Sequence, residues 1–248
     1  MQGKVALIAG GGRGIGGATA RLLGKRGASV VVNYLQNATA AEQTVADIHS
    51  YGGQAIAVQG DVRNDEQREA LIQQTMQTYG RIDILVNSAT AAAIFKPFVQ
   101  MSWEEFNLIL DGILRTTFEL TKAVLPIMQQ QHYGRIVYIG SGLSKAPTMP
   151  GAIGLATAKA GLVAFAKYIA KEHGPDGITA NVVSPGMVET DLSAYLPIEH
   201  KQRIAATTPL GRMARPEDIA GVIAFFASDD SGFMTGTYAP VNGGQAME

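Results

Sequence analysis

Apolar residues arrive in short unbroken runs, and each run gives way to a longer stretch in which they recur at helical spacing. The runs are Val5–Ala9, Ser29–Asn33, Ala55–Gln59, Ile84–Asn87, Arg135–Gly140, Ile178–Val183 and Thr237–Val241, with the length and composition of strands buried on both faces. Between them, Ile15–Lys25, Ala38–Tyr51, Asp65–Tyr79, Trp103–Gln130, Gly151–Glu172 and Pro216–Ala227 carry the helical period. Gly52-Gly53 stops the second of these and Pro216 starts the last, because proline is suited to the first helical turn. Alternation of this kind predicts an α/β fold, a doubly wound parallel sheet of about seven strands with helices on both faces. No linker, repeat or shift of composition divides residues 1–248, so one domain is expected. Pro185–Thr208 has weak periodicity and reads as an excursion over the rim of the sheet, centred on residues 186–212.

In an open parallel sheet, ligands bind beyond the carboxyl ends of the strands. The residues worth reading therefore follow Ala9, Asn33, Gln59, Asn87, Gly140 and Val183. The first of these places is the richest, since Val5-Ala-Leu-Ile-Ala-Gly-Gly-Gly-Arg-Gly-Ile-Gly16 passes from strand through a glycine turn into a helix. Gly10, Gly14 and Gly16 have no Cβ, so a pyrophosphate can approach the free N–H groups at the helix start. Taken alone, such a turn serves equally to pack a helix closely on a sheet.

Composition removes several alternatives. The net charge is −1 and Lys and Arg form no run, which argues against nucleic acid or an anionic membrane as a partner. There is no cysteine, so disulfides, thiol nucleophiles and cysteine metal sites are excluded. His49, His132, His173 and His200 are scattered without ligand spacing, and no metal is expected. The first strand starts almost at once and no apolar run approaches membrane-spanning length, so a cytoplasmic protein is expected.

Ala9-Gly-Gly-Gly-Arg-Gly-Ile-Gly16, Gly60-Asp61-Val62, Val86-Asn87-Ser88-Ala89, Ile139-Gly140-Ser141, Lys159-Ala-Gly161, Asn181-Val-Val-Ser-Pro-Gly186 and Val241-Asn-Gly-Gly244 together resemble the short-chain dehydrogenase/reductase family. The nearest subgroup is the 3-oxoacyl-carrier-protein reductases, and the similarity runs nearly end to end. The resemblance implies a single Rossmann-type domain whose excursion closes over substrate. It implies that Gly10, Gly14, Ile15 and Gly16 hold a pyrophosphate and that Asp61 and Val62 meet the adenine. Asn87 and Ala89 flank the ribose, while Pro185, Gly186, Val188 and Thr190 hold the nicotinamide end. For Asp61 the alternative is a turn or helix cap. An acid at the end of the second strand would repel a 2′-phosphate, yet Asn33 stands there. Arg13, inside the glycine turn, can pair with that phosphate or remain a solvated loop charge. NADP(H) is thus favoured over NAD(H).

The family reduces a carbonyl with a tyrosine four residues before a lysine, both on one helical face. Here Lys159 is present, but Leu155 occupies the tyrosine's place. Ser141 fits the serine that polarises the substrate oxygen, one residue further from position 155 than usual, with Ser144 as the fallback. The family's asparagine in the long helix aligns with Ile113, and Ala9 and Thr90 are lesser departures. Tyr138 reads as core and Tyr195 as part of the excursion. Ile94, Phe95, Met149, Met187, Leu192 and Leu196 are candidate walls of an apolar pocket.

Three functions follow. The first is an NADP(H)-linked oxidoreductase of carbonyl or alcohol substrates, ketoreductase-like, with an atypical or impaired proton step. The second is a catalytically silent NADP(H)-binding regulator or oligomer partner. The third is a non-redox enzyme of elimination, isomerisation or cyclisation. The resemblance also implies a homo-oligomer, dimer or tetramer, or a mixed assembly with an active relative.

Overall fold

A computed structural model of the chain describes residues 1–89 and 94–247. Every apolar run forms a strand: β1 (Val5–Ala9), β2 (Ser29–Tyr34), β3 (Gln54–Gln59), β4 (Ile84–Asn87), β5 (Gly134–Ile139), β6 (Ile178–Pro185) and β7 (Tyr238–Val241). The helices are α1 (Gly14–Lys25), α2 (Ala38–Ser50), α3 (Asp65–Tyr79), α4 (Trp103–Leu110), α5 (Thr116–Gln131), α6 (Ile153–His173), α7 (Asp191–Ala194), α8 (Ile198–Thr207) and α9 (Pro216–Phe226). The strands pair in the order β3-β2-β1-β4-β5-β6-β7, all in parallel, with Leu7 between Val31 and Leu85. Because the order reverses at β1 and β4, the chains leaving them diverge to opposite faces and open a crevice.

The pleat sorts the core into two layers. Leu7 and Ala9 of β1 pack with Leu71 of α3, Leu120 and Val124 of α5 and Leu162 of α6. Ala6 and Ile8 face the other way, against Leu23 of α1, Ile48 of α2 and Ile219 and Ile223 of α9. Each fully buried aliphatic side chain contributes roughly 1.5–3 kcal/mol, and together they fix which strand ends lie side by side.

Three departures from the sequence expectation have physical reasons. The stretch 186–212 contains α7 and α8, which the hydrophobic pattern does not show. α8 buries none of its residues and α7 is a single capped turn, so neither has a stripe to reveal it. Secondly, α6 is long and apolar enough to cross a membrane by length and composition, contrary to the expectation that no such segment exists. Its Ala158, Leu162, Val163 and Ala166 are buried in the domain, and this is a core helix whose apolarity serves the sheet. Thirdly, α4 and α5 are joined by a π-helical turn, Asp111–Arg115, so the predicted long helix is one column with a wide turn inside it. Ile113, on that turn, is 3% exposed.

Candidate active site

The glycine turn is closed from two sides. Gly10 has φ +71°, and a Cβ there would stand 3.0 Å from the Ala89 backbone. A Cβ on Gly16 would overlap the Gly10 carbonyl oxygen. Both positions therefore reject any side chain, and the backbone of the turn stays bare. α1 begins just beyond it with no acidic residue in its first turn and no side-chain cap on Arg13, which leaves the positive end of the helix for an anion.

Asn87, at the end of β4, adds an unmet demand. Its Nδ2 donates to Thr117 Oγ1 at 3.1 Å, and the Thr117 hydroxyl donates to the Ile113 carbonyl at 2.7 Å. Its Oδ1 is buried and has no partner among the described residues, a defect that costs roughly 1–3 kcal/mol. A bare glycine cradle beside an orphaned acceptor fits a dinucleotide with ribose hydroxyls to donate, and the residues present suit NAD(P)(H).

The next positions are more committed than the sequence suggested. Asp61 accepts from Arg63 Nε at 2.9 Å, from Arg63 Nη2 at 2.7 Å and from the Arg63 N–H at 2.9 Å. The guanidinium hydrogen bond holds its carboxyl below the ordinary range. The turn-capping reading of Asp61 is thus met, and an adenine amine would share a carboxylate already paired with Arg63. Val62 is buried beside it. Asn33 points inward, where its Nδ2 donates to Val58 O at 3.2 Å and Gly60 O at 3.1 Å. Its amide is a tie between β2 and the end of β3, so its bearing on a 2′-phosphate is confined to the negative charge it does not bring. Arg13 is exposed and pairs with Asp191, the first residue of α7, at 2.9 Å, a partner 178 residues away that no local pattern announces.

At the other end of the crevice, Pro185 lies beside Val241 and the Gly186 N–H donates to Val241 O at 3.1 Å. Val188 is buried and bridges Ala214. Thr190 precedes α7, its N–H donating to Ser193 Oγ at 3.0 Å, and its Cγ2 lies 3.4 Å from where a Gly14 Cβ would stand. Ile15 packs partly buried against the α1 side of the sheet. The glycine turn and the 186–212 excursion therefore face each other across the crevice.

Ser141 leaves β5 with its Oγ accepting the Leu143 N–H at 3.3 Å. Close by, Lys159 reaches the end of the same strand, donating from Nζ to Ile139 O at 2.6 Å. Burial pulls its pKa down to about 8. Leu155 lies one turn earlier on α6 and packs partly buried against the Ile109, Ile113 and Ala158 cluster. Tyr138 is fully buried, its hydroxyl 2.9 Å from Thr121 Oγ1, and burial pushes its phenol up; it is core, as its place in β5 suggested. Tyr195 is 72% exposed. Of the candidate pocket walls, Phe95 and Met149 are exposed and Ile94 joins the Ile113 cluster. Thr90 and the Leu192 side chain lie outside the described residues.

A family model described as enoyl-(acyl carrier protein) reductase matches residues 9–246. The chain is a short-chain dehydrogenase/reductase. It is 40% identical over 250 residues to the 3-oxoacyl-acyl-carrier-protein reductase of Synechocystis sp., covering 100% of this chain and 98% of that one. It is 36% identical to the enzyme of that name from Escherichia coli, over 100% and 99% of the two chains. The solved structure of a dehydrogenase/reductase from Sinorhizobium meliloti superposes with a TM-score of 0.90 at 33% identity, over 100% of this chain and 96% of that one. A double mutant of a Serratia marcescens short-chain dehydrogenase/reductase does so with 0.92 at 30% identity, over 99% of each. Among the residues that pattern alone missed are Arg63 and Asp191, which occupy Asp61 and Arg13. Arg63 stood two residues from its partner and was within reach of a local reading.

Proposed function

We propose that this short-chain dehydrogenase/reductase is an NADP(H)-linked oxidoreductase of an apolar carbonyl or alcohol substrate, ketoreductase-like, whose proton-donor step is impaired. The observation that carries the reading is the pairing of an intact dinucleotide cradle, with Asn87 Oδ1 unpaired beside it, and hydrocarbon at Leu155 next to a buried Lys159. When bound, the cofactor supplies hydride. Gly10, Gly14, Ile15 and Gly16 hold its pyrophosphate, Asp61 and Val62 its adenine, Asn87 and Ala89 its ribose. Pro185, Gly186, Val188, Thr190 and Lys159 hold the nicotinamide end. Ser141 donates its hydroxyl proton as a hydrogen bond to the substrate oxygen, and the proton that oxygen finally keeps comes from water. A positioned general acid is worth about 10²–10⁴-fold, so turnover is slow while polarisation by Ser141 persists.

A second reading, a catalytically silent NADP(H)-binding partner in an oligomer, draws support from the contact of Leu155 with the Ile113 cluster and from Phe118 and Tyr168, exposed on α5 and α6. Loss of NADPH absorbance with a panel of ketones decides between the two. Steady turnover supports the reductase, whereas calorimetric binding of NADPH without any turnover supports the silent partner.

Cofactor preference has its own test. The exposed Arg13–Asp191 pair is worth roughly 0–1 kcal/mol, less than the roughly 1.5–3 kcal/mol of a charge-assisted bond to phosphate. A 2′-phosphate therefore draws Arg13 from Asp191. Arg13→Ala is expected to raise KM for NADPH roughly tenfold and to leave KM for NADH nearly unchanged. Asp191→Asn should lower KM for NADPH. Equal effects on both coenzymes would place Arg13 outside the phosphate site.

A further inference from the structure

We infer that Tyr238 is a positioning residue for Ser141, an inference that rests on the reductase reading above. Ser141 sits between Gly140 and Gly142, a pliant place from which to aim a hydroxyl. It leaves β5 extended, with φ −161° and ψ 143°, and opens a single tight turn over Gly142–Ser144. The turn is pinned through the Ser141 carbonyl, which accepts from the Ser144 N–H at 3.0 Å, the Ser144 hydroxyl at 2.7 Å and the Tyr238 hydroxyl at 3.2 Å.

Of these bonds, the first two lie within the turn and move with it. Of the three, the Tyr238 bond is the one that ties the turn to the sheet. It belongs to β7, beside Val182 of β6, with its ring packed against the layer that contains Tyr138 and Leu162. Its hydroxyl lies 2.7 Å from Ser184 Oγ, on a residue of β6 that is 1% exposed. One phenol thus joins the loop after β5 to two neighbouring strands. With the turn held, Leu143 keeps its N–H on Ser141 Oγ, and the serine proton is directed away from it.

The consequence is larger here than where a tyrosine also grips the substrate oxygen. Leu155 offers that oxygen nothing, so the aim of the Ser141 hydroxyl carries the polarisation, and a misplacement of an ångström at a reacting centre can cost about 10²-fold. Tyr238→Phe keeps the ring and removes the tie. It is expected to lower kcat for ketone reduction roughly tenfold with KM for NADPH unchanged, and to speed amide hydrogen exchange across residues 142–145. In a Ser141→Ala background the same substitution should change kcat by less than about twofold, because the group it positions is gone. An equal loss in both backgrounds would make Tyr238 a general stabiliser and overturn the inference. Exchange at 142–145 that is the same in wild type and Tyr238→Phe would overturn it as well. Should the wild type show no ketone turnover, the reductase reading falls by itself, and the exchange measurement still decides whether Tyr238 holds the Ser141 turn.

Discussion

Leu155→Tyr is expected to raise the rate of ketone reduction by about 10²–10⁴-fold, the range a positioned general acid supplies. The argument starts from helix geometry, since residues four apart lie one turn above each other on the same face, and Lys159 is four residues after Leu155 on α6. A phenol at position 155 would stand beside the Lys159 amine, whose positive charge favours the phenolate and lowers the tyrosine pKa toward neutrality. Space permits the change, because Leu155 is only partly buried against the Ile109, Ile113 and Ala158 cluster and a longer ring can direct its hydroxyl out of it. Steady-state kcat/KM with NADPH across a ketone series is the measurement. If the rate stays flat, the hydrocarbon at Ile113 is the next suspect, since it packs in the same cluster as Leu155 and offers no polar group there. Leu155→Tyr with Ile113→Asn should then recover what the single change did not. A flat response from both variants, with NADPH still bound, would leave pocket shape as the barrier and favour the silent partner.

Most of the frame that positions this site is legible in the sequence. Strand runs buried on both faces, separated by helical stretches, leave few arrangements once crossovers are right-handed, and the observed strand order is one of them. The glycine turn was legible for the same reason, because Gly10 and Gly16 are demanded by backbone contacts that no other residue tolerates. What escaped was of another kind. The sequence shows in Asn33 only the charge it does not carry, whereas its amide is consumed by Val58 and Gly60. Arg13 finds Asp191 at a separation of 178 residues, and Tyr238 finds Ser141 at 97. Periodicity reports which face of an element is buried; it carries no record of which hydroxyl or guanidinium closes across the fold. The apolarity of α6 is masked in sequence as well, because its lysines at 159, 167 and 171 interrupt the run without removing its length or mean hydropathy as a helix.

Lys159→Met is expected to stabilise the cofactor-free chain by about 1–2 kcal/mol at pH 7 while removing most of the stabilisation that NADPH confers. Burial pulls the Lys159 pKa from 10.5 to about 8, and that displacement corresponds to about 3 kcal/mol charged against holding the ammonium in the folded state. Methionine fills a similar volume without the charge. Against this gain stands the Ile139 carbonyl, which loses its donor at 2.6 Å at a cost of roughly 1–2 kcal/mol, so a modest net stabilisation is left. The pH dependence gives the sign independently. Between pH 8 and 10 the folded chain has released the Lys159 proton and the unfolded chain still binds it, so wild-type stability gains a rising component across that window; below about pH 8 the penalty is present in full. The methionine variant should lack that component, and its denaturation midpoint should exceed the wild type's by most at neutral pH and by progressively less toward pH 10. Urea melts of both proteins from pH 7 to 10, with and without NADPH, measure all of this together. A methionine variant that is less stable than wild type at pH 7, with the same slope against pH, would mean that the Lys159 charge is compensated in the fold and that its amine is held for structure, in which case the buried lysine ceases to mark the catalytic end of the crevice.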